Sequence, residues 1–166
     1  MKRGVAAALA ALVILLSAGA GVGAWLLVRE PGPRQPEISA YSHGHLTRVG
    51  PYQYCNVLNV TECQTPQTQG ELPFNEHSPV QLSVPKAISR APWQLAQLYE
   101  DPDNTIVTIF RPGTRLAVTI PSVDPQRGRL TGIVVQLLTL VPDESQLNDI
   151  TTFHTHPFAE WSVRIL

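Results

Sequence analysis

"GRLTGIVVQLLTLVP", Gly128 to Pro142, is the longest apolar run in the body of this chain, and its reading decides the fold. It lacks the 3.6-residue spacing of an amphipathic helix and is rich in β-branched residues. Its near-continuous apolarity predicts a central strand buried on both faces. Neighbouring segments agree. "VQLSVP" (Val80 to Pro85) alternates Val80, Leu82 and Val84 against Gln81 and Ser83. "WQLAQLYE" (Trp93 to Glu100) reads as a strand, and "EWSVRIL" (Glu160 to Leu166) alternates Trp161, Val163 and Ile165 against Ser162 and Arg164. "NTIVTIF" (Asn104 to Phe110) and "RLAVTIP" (Arg115 to Pro121) are joined by "RPGT", whose Pro112-Gly113 pair suits a type II turn. "PKAISRAP" (Pro85 to Pro92) has room for one helical turn. Pro and Asp clusters punctuate the segments. About seven strands in the region 38–166 predict an all-β domain, an immunoglobulin-like antiparallel β-sandwich. Trp93 and Trp161 fall at inward positions and are expected in the core.

The N-terminus is of another kind. Lys2 and Arg3 precede an uncharged run from Gly4 to Val28, which Arg29 closes. As a helix, 25 residues span about 37 Å, more than the ~30 Å hydrocarbon core of a bilayer. The reading is a tip at 1–3, a transmembrane signal anchor at 4–28, and a Pro-rich linker at 29–37. Lys2 and Arg3 favour a cytoplasmic N-terminus, which puts the C-terminal domain outside the cytoplasm. A cleaved signal peptide competes, because Ala18-Gly19-Ala20 fits a cleavage site. The apolar "WLLV" (Trp25 to Val28) that follows favours an anchor. "GAGVGA" (Gly19 to Ala24) matches a dinucleotide loop by spacing alone, without the strand-turn-helix context such a loop needs. Gly19 and Gly23, four apart, instead suit close packing of one membrane helix on another.

Outside Lys2 and Arg3, ten basic residues face 13 acidic ones. No basic cluster stands out, which argues against nucleic acid as a partner. The expected partners are the lipid bilayer and a protein of the cell envelope. The only two cysteines, Cys55 and Cys63, lie eight apart in "CNVLNVTEC". In an oxidising compartment they are expected to form a local disulfide.

Four of the five histidines lie in "SHGH" (Ser42 to His45) and "FHTHP" (Phe153 to Pro157). Two rings at i and i+2 of a strand face one way, as a clip for Zn²⁺ or Cu²⁺. If the first and last strands lie side by side, His43, His45, His154 and His156 could converge. Against this, Gly44 suggests a turn, and the phase of Trp161, Val163 and Ile165 puts His154 and His156 toward solvent. No carboxylate is placed to orient the rings. The competing reading makes all four exposed edge and loop residues. Asp101 and Asp103 in "EDPDN" read as a turn. No serine elbow, zinc-protease helix or phosphate loop occurs. The expectation is therefore a protein with no catalytic residues and no cofactor.

"VGPYQYC" (Val49 to Cys55), "VQLSVPKAISRAPW" (Val80 to Trp93) and "AEWSVRIL" (Ala159 to Leu166) together resemble a family of actinobacterial exported proteins of unknown function. The resemblance implies an envelope location and a membrane tether, and it brings no activity. The sequence thus reads as a membrane-anchored binding or assembly module, with a histidine metal-binding protein as the alternative.

Overall fold

Side chains that alternate between two faces build the body from strands. In chain order the elements are α1 (Lys2–Val28), β1 (Ile38–Ser42), β2 (His45–Val49), β3 (Gln53–Asn56), β4 (Asn59–Gln64), β5 (Gln69–Leu72), β6 (Val80–Ser83), α2 (Lys86–Ser89), β7 (Trp93–Tyr99), β8 (Ile106–Phe110), β9 (Ala117–Ile120), β10 (Val123–Asp124), β11 (Gly128–Pro142) and β12 (Phe153–Ile165). This computed structural model describes residues 2–28, 35–142 and 153–166. Most of the linker read at 29–37 lies outside them. The chain divides into two units, Met1–Arg34 and Gln35–Leu166.

The body holds two sheets. The smaller runs β2-β1-β6-β9, and the larger runs β4-β3-β12-β11-β7-β8, with β5 and β10 added to β12 and β11. Among the described residues all strand pairs are antiparallel except β5 with β12. One apolar cluster joins them. Ile38, Ala40, Val80, Leu82 and Ile120 come from the smaller sheet; Trp93, Leu95, Ile133, Val135, Trp161 and Val163 come from the larger. Fully burying one such aliphatic side chain contributes roughly 1.5–3 kcal/mol before entropic costs. Trp93 and Trp161 are fully buried, as their phase predicts. The Trp161 indole donates to the Pro36 carbonyl at 2.8 Å, and Trp93 stacks on Phe110 at 4.3 Å between centroids.

β11 is central, as read, between β12 and β7. The expectation that both its faces are buried holds only in part. Ile133, Val135 and Leu137 are buried, but Val134 and Gln136 between them are only half-buried. The smaller sheet packs against one side of β11, leaving the side of Val134 and Gln136 open. The turn at Pro112-Gly113 forms, with Gly113 at φ 74° and the Thr114 amide donating to the Arg111 carbonyl at 3.2 Å. It links two sheets, because β8 pairs with β7 while β9 pairs with β6. The first and last strands are not neighbours: β1 lies in the smaller sheet and β12 in the larger. That corrects the adjacency on which a converging histidine site depended.

α1 is continuous from Lys2 to Val28. Leu12, Val13, Ile14, Leu15, Leu16 and Val22 are all exposed. No helix among the described residues is long and apolar enough to cross a membrane. The described side chains of α1 run unbroken only through 12–23.

Candidate functional site

Period-2 alternation sends every second residue of β7, β11 and β12 away from the core. Strand register lines these residues up across the larger sheet. One row is Ile109, Gln94, Gln136, Glu160 and Gln53; the next is Val107, Ala96, Val134, Ser162 and Gln69. The first row is wired by side chains. The Gln94 amide donates to the Gln136 carbonyl oxygen, and the Gln136 amide donates to Glu160 Oε2 at 2.7 Å. In the second row, the Gln69 amide donates to Ser162 Oγ at 3.1 Å. The Gln53 amide turns aside to the disulfide sulfurs, 3.2 Å from Cys55 and 3.5 Å from Cys63.

Glu160 and Gln53 also line a hollow of about 160 Å³ with His156, Pro157, Phe158 and Ala159. That is below the roughly 300–1,000 Å³ of a pocket for a small organic ligand. A second, more open hollow of about 410 Å³ lies along Tyr54, Cys55, Asn56, Glu62, Cys63 and Gln64. The half-buried amides and carboxylate between apolar neighbours suit hydrogen bonding to an extended surface. They supply no nucleophile paired with a base.

Cys55 and Cys63 are bonded, at 1.98 Å between sulfurs, and face each other across β3 and β4. Among the described residues the histidine side chains do not gather. His43 and Gly44 both have positive φ, at 44° and 83°, and form the two-residue turn of the β1–β2 hairpin. His43 Nδ1 lies 3.3 Å from Ser78 Oγ. His45 and His156 are exposed in different sheets, while the His154 side chain lies outside the described residues. Among the described residues no three His, Cys, Asp or Glu side chains group as a metal site. Asp101 caps the 3₁₀ turn Pro102–Asn104, accepting from the Asp103 amide at 3.1 Å and the Asn104 side chain at 2.8 Å. Gly19 and Gly23 have nothing within 4 Å of a built Cβ.

Charge is shifted elsewhere, at the β10–β11 turn. The Gln126 amide, then the Arg127 amide and guanidinium, hold the Asp124 carboxyl below the usual range. Burial pushes the Tyr99 phenol up, and the Asp124 charge adds to it. This cluster fastens a turn.

The chain belongs to a family described as a protein of unknown function (DUF2771), whose pattern matches residues 31–166. It is 71% identical over 167 residues to an uncharacterised protein of Mycobacterium bovis, covering 100% of this chain and 99% of that one. Uncharacterised proteins from two strains of Mycobacterium tuberculosis are similar to the same degree. No solved structure matches.

Proposed function

We propose that this family member is a single-pass membrane protein that presents its β body outside the cytoplasm as a binding or assembly module of the cell envelope. One observation carries the reading. Leu12 to Leu16 cover every side of α1, and all five are exposed. A helix that is apolar all round needs an apolar medium, and a bilayer provides one. Lys2 and Arg3 precede it, which favours the cytoplasm for the N-terminus. The outer face of the larger sheet is the favoured contact surface. Its Gln94–Gln136–Glu160 ladder offers hydrogen-bonding groups held in place before a partner arrives, which lowers the cost of ordering them.

A photo-reactive residue at Gln136, in the full chain expressed in cells, tests both parts. The expected product is a discrete adduct in carbonate-washed membranes, absent when the residue is placed at Thr119 in the smaller sheet. Full chain in the carbonate supernatant, or equal labelling from both positions, would overturn the proposal.

A further inference from the structure

β8 ends the larger sheet, and its outer side has no strand partner among the described residues. Natural edge strands usually carry a charge, a proline or a bulge, or are very short, because an open edge templates pairing with another chain. Two of the other edges follow that rule through charge, and the third, β9, is shorter than β8 and uncharged. β2 carries His45 and Arg48, β4 carries Glu62, and β9 has four residues with Ala117 and Thr119 exposed. β8, "IVTIF", has no charge, no proline and no bulge against β7. It also leaves Val107 and Ile109 exposed, at 55% and 61%.

We infer that the occupant of this edge is a second copy of the chain, paired antiparallel through β8 about a two-fold axis at Thr108. Three features select a copy over an unrelated strand. The strand is self-complementary in that register. Thr108 meets Thr108, Val107 meets Ile109 of the other copy, and Ile106 meets Phe110. The two Val107–Ile109 pairs join on the outer face as one apolar patch, a favourable cross-strand arrangement. The strand itself is uncharged, so the isologous contact sets no like charges opposite each other. The flanks are complementary in charge. Asp101 and Asp103 precede β8 and Arg111 and Arg115 follow it, all four exposed. Antiparallel pairing brings the acidic end of each copy against the basic end of the other. The two larger sheets become one continuous sheet, and their Gln94–Gln136–Glu160 ladders face the same way. The inference does not depend on α1 lying in a membrane.

The test is sedimentation of the full chain in detergent, with charge reversals at the flanks. The expected result is a dimer, weakened about tenfold or more by Asp103→Arg or Arg111→Asp alone, a change of about 1.4 kcal/mol or more. The double variant should regain the native affinity, because the reversed charges meet again. Ile109→Lys should give a monomer with an unchanged circular dichroism spectrum, which separates lost pairing from lost folding. Thr108→Cys should cross-link copy to copy under mild oxidation, since paired Cβ atoms lie about 5 Å apart; Thr119→Cys should not. A monomer at all concentrations, a dimer indifferent to Ile109→Lys, or a double reversal that fails to restore association would each overturn the inference.

Discussion

At the scale of the residue, three positions make the packing testable. Gly70 on β5 leaves no room for a side chain: a Cβ there would collide with Val49 Cγ2 on β2 of the other sheet and lie 3.5 Å from Val163. Gly70→Ala should destabilise by about 1–3 kcal/mol, the usual cost of overfilling a packed site. Urea unfolding measures it, and Gly70→Ala with Val49→Ala should recover part of the loss. Replacing Cys55 and Cys63 by Ala should cost about 2–3 kcal/mol, because the bond restricts the unfolded chain. Asp124 has a lowered folded pKa. Its contribution is therefore present above the carboxylate's ordinary range and lost as pH falls through the folded value. Asp124→Asn should lower the melting temperature near neutral pH, and the gap should close in acid. A gap independent of pH would show that the Asp124 charge is not what holds the turn. The cysteine pair was legible because the chain has only two cysteines and they lie eight apart. Gly70 was not, because a close approach between sheets leaves no local mark.

At the scale of the element, alternation was a sound guide and partnership was not. Trp161, Val163 and Ile165 are buried as their phase predicts, and β12 extends back to Phe153. Trp161→Ala should cost about 3–5 kcal/mol, from the cavity and the lost hydrogen bond to Pro36. A loss below about 1 kcal/mol would mean the site collapses around the gap. Gln136 shows the limit of reading a run as a whole. It interrupts "IVVQLL", and that single polar residue marks the open face of β11. The partners of Gln136, namely Gln94 and Glu160, lie 42 and 24 residues away. Only register brings them together, and register is set by the whole sheet. The His-x-His stretches show the same limit. Each is local, but their meeting required two strands to be neighbours.

At the scale of the molecule, an all-β body of two sheets was legible from composition and punctuation. The strand order was not: β8 and β9 are consecutive and joined by a recognisable turn, yet they enter different sheets. A tight turn dictates a reversal of the chain and leaves the choice of sheet to packing. The N-terminal helix was legible from its unbroken apolarity, and its role turns on whether it is kept. Mass spectrometry of the native protein from membranes tests that most directly. The expected result is an intact N-terminal region, with a peptide spanning Val5 to Trp25 recovered from the membrane fraction. A mature chain beginning near Gly21 in most molecules would contradict the anchor, and with it the membrane-tethered module.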